Sequence, residues 1–278
     1  MSETIPLHIW LCADDYGISP AVSAAIRDLI VRRRLNATSV MVGAPSFSPD
    51  EADALREAAG THVAIGLHVT LTGPFRPLGP HFIPLRGGAF LPLAPMAARA
   101  LARCLQAMPL EDEISRQLDC FHGAFGRAPD YFDGHQHIHV FPQIREALVR
   151  VVKKNAPQAW IRQCGRPASA HKSLGDPKAL VLDRLSARLR RLAAADRLAT
   201  NPAFAGTYAF RPRADYQKLF PRFLDGLPDG GVVMCHPGKV DAELRRLDPL
   251  TDLREREYAY FLGDDFPQLL ATRGFALG

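Results

Sequence analysis

Apolar runs of strand length alternate with helix-patterned segments along most of this 278-residue chain, and that alternation is the strongest constraint on its fold. Strands separated by helical crossovers pair in parallel, so the pattern predicts repeated βα units around one parallel sheet. Leu7 to Ala13 (LHIWLCA) reads as a buried strand. Ser19-Pro20 then offers an N-cap and a first-turn proline for a helix over 21–35. Further strands are expected at 40–43, 62–69, 159–164 and 230–235, and further helices at 48–59, 96–108, 110–125 and 142–155. Residues 71–95 (LTGPFRPLGPHFIPLRGGAFLPLAP) are too rich in Pro and Gly for a regular element and too long for a routine turn, which predicts a loop over the functional face. No repeat, low-complexity tract or linker interrupts the chain, so residues 1–278 are expected to form one domain.

Composition narrows the partners. A hydrophobic content of 47% with 23% charged residues is that of a globular protein with a sizeable core. The formal charge is +5, yet there is neither a run of five or more like charges nor a basic patch interleaved with aromatics, which argues against nucleic acid. Cys12, Cys104, Cys120, Cys164 and Cys235 form no C-x-x-C pair and are odd in number, so they are read as reduced core residues. The first residues lack the basic region of a signal peptide and no apolar run approaches the ~20 residues of a membrane span, so a cytoplasmic location is expected. A basic amphipathic helix over 176–197 is read as barrel cover, with a membrane surface as the alternative.

The chemistry concentrates where apolar runs end. In Asp133-Gly-His-Gln-His-Ile-His139 an aspartate and three histidines stand at every second position, and an extended strand would place all four on one face. At ~3.3 Å per residue the ends of that row are roughly 20 Å apart, so only neighbours such as His135 and His137 could meet one ion, and other ligands must come from elsewhere. Asp14-Asp15 and His68 also stand at strand ends, and in a (β/α) barrel the C-terminal strand ends converge on one face. Both aspartates can line that mouth if the chain turns at Asp15. A carboxylate with two imidazoles makes a catalytic metal site with room for water and substrate, and an unligated neighbouring carboxylate suits a general base.

Five ordered motifs carry a resemblance: ADDYGISPAV, RLNATSVMV, IGLHVTLT, DGHQHIHVFPQI and MCHPG. Together they resemble the YdjC-like carbohydrate deacetylases, which include chito-oligosaccharide deacetylases and a hopanoid-glycolipid branch. The resemblance implies a deformed, TIM-barrel-like (β/α) barrel and removal of acetyl from an N-acetylated amino sugar, on an oligosaccharide or a glycolipid. By the same resemblance Asp15, His68 and His135 are ligands of one divalent ion, Mg²⁺ or Zn²⁺, Asp14 is the base and His236 the acid. Arg254 and Glu257 fall where the family carries an Arg and a Glu; Arg254 and His137 are the candidate substrate contacts, against a solvated helix face for 253–258. His139 is expected to be structural, and His8, His62, His81, His122 and His171 to take surface or core roles. A metal-dependent phosphoesterase and an inactive sugar-binding protein are the competing functions, and a homodimer is an open alternative for partners.

Overall fold

Two strands that run side by side through the centre set the frame. In the computed structural model, which describes residues 5–167, 177–211 and 214–277, β1 (Leu7–Tyr16) pairs in parallel with β2 (Ala37–Val40) on one side. The chain then adds β3 (Ala64–Val69), a short hairpin of β4 (Leu85–Arg86) and β5 (Ala89–Phe90), and β6 (Tyr131–Gly134), β7 (Trp160–Ile161), β8 (Phe204–Ala205), β9 (Gly231–Cys235) and β10 (Phe275–Leu277). The main sheet has the order β7-β6-β3-β2-β1-β9-β8, with β10 beside the start of β1, and every pairing in it is parallel. Its two edges meet. Ile161 donates its N–H to Ala199, a parallel bridge joins Ile161 to Thr200, and Phe204 donates to Gly165, which draws the sheet into a deformed (β/α) barrel.

Helices cover the outside: α1 (Pro20–Val31), α2 (Pro49–Ala59), α3 (Leu93–Leu101), α4 (Ala107–Phe125), α5 (Ile144–Asn155), α6 (Pro177–Ala195), α7 (Tyr216–Phe223), α8 (Ala242–Leu247), α9 (Asp252–Leu262) and α10 (Asp265–Thr272). Local chemistry explains the early boundaries. Ser19 caps α1 by accepting from Val22 N–H with Pro20 in the first turn, and Ser48 caps α2 by accepting from Glu51 N–H. Along β1 the side chains of Ile9, Leu11 and Ala13 are buried in the continuous apolar core. Gly66 is required by close approach, because a Cβ there would meet the Tyr131 ring at 2.3 Å.

Several sequence expectations shift. The strand expected at 40–43 ends at Val40, the strand expected at 159–164 keeps ladder pairing only at 160–161, and the helix expected at 96–108 starts earlier and ends at Leu101. Cys104 and Cys120 are exposed; only Cys12, Cys164 and Cys235 are core residues. Helix α6 buries Leu185, Leu189 and Ala193, as barrel cover should. His171 and the start of the basic stretch at Asp176 lie outside the described residues.

The segment after β3 does lie over the C-terminal end of the barrel, but it contains the β4–β5 hairpin rather than irregular chain alone. Helix α4 bolts it down. Gln117 accepts from Thr70 N–H and donates to Thr70 C=O, while the buried Glu113 accepts from the N–H groups of Leu78 (3.1 Å) and Gly79 (2.8 Å). Glu113→Ala should leave both amides without an acceptor, cost about 2 kcal/mol, and speed hydrogen exchange at Leu78 and Gly79 ahead of the sheet; unchanged exchange there would contradict the anchoring role.

Candidate active site

The site begins at an irregularity in β1. Asp15 takes a left-handed φ of 70°, and the β1–β2 register shifts between Ala13 and Tyr16. This bulge is what lets two adjacent aspartates both point inward, since a regular strand would send them to opposite faces. Both carboxylates are buried and neither is free. Arg162 grips Asp14 with two bonds, Nη1 to Oδ1 at 2.6 Å and Nη2 to Oδ2 at 2.8 Å. Asp15 accepts from Arg254 Nη2 at 2.6 Å and from His135 Nδ1 at 2.9 Å, with His68 Nε2 at 3.3 Å.

From β3, His68 is fixed through its other nitrogen, Nδ1 to Asp133 Oδ1 at 2.6 Å. Asp133, on the neighbouring β6, also accepts from Ser39 Oγ at 2.5 Å and lies 2.9 Å from Arg162 Nη1. Charge proximity dominates here. Burial opposes ionisation of Asp133, but Arg162 and His68 outweigh it and hold its pKa down at about 2. Burial likewise works against the His68 imidazolium, and the carboxylates of Asp133 and Asp14 overcome it, raising His68 to about 10. Asp15 is held well below the ordinary carboxylate range because His135 and Arg254 offset its burial.

The histidine row is not a strand. β6 ends at Gly134, the last residue with a ladder partner, and residues His135–Val140 form a 3₁₀ turn with Gln136 and His137 at positive φ of 55° and 57°. Period-two alternation stops with the ladder, so the three imidazoles take separate directions. His135 reaches Asp15. His137 sets Nδ1 3.6 Å from Cys164 Sγ and its ring edge-on to Phe204, while His139 Nε2 donates to the Arg162 carbonyl at 2.7 Å.

On the opposite side of the mouth, His236 follows β9 with Nε2 4.0 Å from Asp15 Oδ2, and its buried Nδ1 has no protein partner. Burial lowers its pKa, with Asp15 pulling the other way. Its backbone N–H donates to Glu257, which also accepts from Tyr208 Oη; burial pushes Glu257 up to about 7 against those hydrogen bonds. Arg254 is fully buried between Asp15 and Asp248 (2.8 Å), so α9 turns 254 and 257 inward rather than to solvent. Its Nη1 has no partner.

Among the described residues, two groups of donors gather closely enough to hold a cation. Asp15, His68 and His135 place one oxygen and two nitrogens within 4.8 Å of one another, and Cys12, Asp14 and Asp133 form the second group. The second already contains a cation, because Arg162 Nη1 lies against Asp14, Asp133 and, at 3.6 Å, Cys12. The first fits a divalent ion by its chemistry: a carboxylate and two imidazoles, with His68 oriented by Asp133 as metal-binding histidines usually are.

A family model described as YdjC-like protein matches residues 8–272. The chitooligosaccharide deacetylase of Serratia marcescens is 28% identical over 275 residues, covering 96% of this chain and 95% of that protein. The carbohydrate deacetylase of Homo sapiens is 29% identical over 157 residues, covering 53% of this chain and 46% of its own. A solved structure from Enterococcus faecalis V583, described as a cellobiose-phosphate cleavage protein, superposes with a TM-score of 0.75 at 20% identity, covering 98% and 97% of the two chains. That likeness bears on the fold.

Sequence reasoning missed Arg162. The available signal was an arginine inside the apolar run Ala159-Trp-Ile-Arg-Gln-Cys164, since a charge that cannot leave a buried run needs a partner. Arg162→Met should destabilise the fold by about 3–5 kcal/mol at neutral pH by stranding Asp14 and Asp133. Both carboxyls have depressed native pKa values, so the stability Arg162 confers is present above their unfolded pKa of about 3.9 and is lost as pH falls. Denaturant titrations should therefore show the deficit of the variant shrinking in acid; a deficit independent of pH would mean that Arg162 acts by packing alone.

Proposed function

Because the chain belongs to the YdjC-like family, we propose that it is a metal-dependent carbohydrate deacetylase, with residues 1–278 as one catalytic domain. The observation that carries this reading is the convergence of Asp15, His68 and His135 within 4.8 Å at the barrel mouth, beside Asp14 and His236. The substrate class is an N-acetylated amino sugar, and the name of the Serratia marcescens relative favours a chito-oligosaccharide. No helix among the described residues is long and apolar enough to cross a membrane, and we place the reaction in the cytoplasm.

Asp15, His68 and His135 would hold one Mg²⁺ or Zn²⁺, which when bound polarises the acetamide carbonyl and acidifies a nearby water. Asp14 takes a proton from the attacking water, and Arg162 keeps that carboxylate ionised and fixed in direction. The water oxygen bonds to the acetyl carbon, the C–N bond breaks, and His236 delivers a proton to the departing nitrogen. Acetate and a free amine result. Glu257 positions His236 through its backbone N–H, and burial with a lowered pKa makes the His236 imidazolium a strong proton donor. Arg254 holds Asp15, and its unpartnered Nη1 is a donor for substrate or oxyanion. His137, at the rim of the same mouth, is the further substrate contact.

Acetate release from N-acetylglucosamine oligomers, measured after chelation and re-addition of Mg²⁺ or Zn²⁺, tests the reading directly, and no release with any divalent ion would sink it. Asp14→Asn should retain one ion per chain and lower kcat by roughly 10²–10⁴-fold, as loss of a base does, whereas His135→Ala should lose the ion itself. Metal loading also has a sign in pH. His68, raised to about 10, must lose its proton to serve as a ligand, so apparent metal affinity should climb by about tenfold per pH unit from neutral into mild alkali. A flat titration would remove His68 from the ligand set.

A further inference from the structure

Residues 71–110 contain no Asp or Glu and four arginines, Arg76, Arg86, Arg99 and Arg103, all exposed. The same forty residues hold Leu78, Ile83, Leu85, Leu101 and Met108, which are 37–83% exposed and make up five of the ten exposed large hydrophobic residues among those described. Apolar residues scattered singly over a surface need no explanation. Half of them in one acid-free segment do.

The segment sits on the active-site face. It follows β3 after Thr70, presses the Phe75 ring edge-on against His135 at 5.5 Å, and joins the chain just after the 135–140 turn through a two-way bond between Leu105 and Gln143. No ion pair among the described residues reaches Arg76, Arg86 or Arg99, while Arg103 has only a 3.8 Å approach to Glu146. The next acids in the chain, Glu111 and Asp112, are taken by Arg150 and Arg116.

We propose that residues 71–110 form a docking surface that seats the open end of the barrel on an anionic phospholipid bilayer. Aliphatic side chains enter the headgroup boundary and the arginines meet lipid phosphates, the pairing of apolar and basic groups that interfacial binding requires. A second copy of the chain fits less well, since it would set four arginines against four more. An acidic protein or nucleic acid would match the arginines but leave the aliphatic residues unused. The inference goes beyond the deacetylase reading, and its test involves no turnover.

Co-sedimentation of the full chain with phosphatidylcholine vesicles, with and without about one-third phosphatidylglycerol, is the measurement. Binding should require the anionic lipid and weaken with salt. Replacing Arg76, Arg86 and Arg99 by Gln should weaken it about fivefold per charge, on the order of a hundredfold together, and Leu78→Ser with Ile83→Ser should weaken it at constant charge. These side chains lie on the surface, so circular dichroism and thermal unfolding should match the parent and separate lost docking from lost folding. Absence of binding to anionic vesicles at low salt, equal binding by folded Gln variants, or a parent dimer that those variants convert to monomer would each overturn the proposal.

Discussion

A guanidinium wholly removed from solvent lies between two carboxylates at the top of the barrel, and the arrangement of the mouth follows from it. Arg162 follows β7, Asp14 belongs to β1 and Asp133 to β6, so one side chain ties β1 to two strands that are not its neighbours in the sheet. Its backbone carbonyl accepts from His139, which fixes the turn that carries His135. A buried ion pair of this kind adds little net stability compared with apolar packing, but removing one partner strands the others. Its value lies in specificity: Asp14 can be ionised, buried and held in one direction only because Arg162 is there.

The same accounting extends across the cluster. Asp14, Asp15 and Asp133 face Arg162 and Arg254, and Arg254 is shared with Asp248, so carboxylates outnumber guanidiniums in the cluster. His68 offsets part of that excess by holding a proton, and the carboxylates of Asp133 and Asp14 raise its pKa against its burial. A buried cluster with excess negative charge and a proton on a metal-capable nitrogen is suited to exchange that proton for a cation. Asp133 contributes twice, first by making His68 a strong base and then by holding its ring so that Nε2 faces Asp15.

The convergence of Asp15, His68 and His135 was legible because each stands at a strand end and a parallel barrel gathers such ends on one face. The direction of the histidine row was not, because alternation holds only while a ladder fixes the backbone, and the pairing of β6 stops at Gly134. Asp15 shows the converse. The sequence asked for a turn there, and the turn is made by Asp15 itself at positive φ, with a shift of register that no local pattern announces. Arg162 and the partner of Glu257 stayed illegible for a different reason: the groups they meet lie far away in sequence, and only the assembled sheet shows that Arg162 meets Asp14 or that Glu257 holds the His236 backbone. Helix ends moved by a few residues where capping was weak, as at α3, whose N-cap position is Pro92 with no side-chain bond.

The segment over the mouth has two faces with different chemistry. Inward, Phe82 and Phe90 pack edge to face at 4.9 Å, Phe75 meets His135, and Glu113 and Gln117 hold the backbone from α4. Outward, it shows aliphatic side chains and four exposed arginines, of which only Arg103 approaches an acid among the described residues. A segment anchored at so many points is not a free lid, because opening it would expose buried aromatics and strand the acceptors of Glu113. Its outer face therefore keeps a fixed orientation relative to His135, and anything bound there is presented to the mouth at a constant angle.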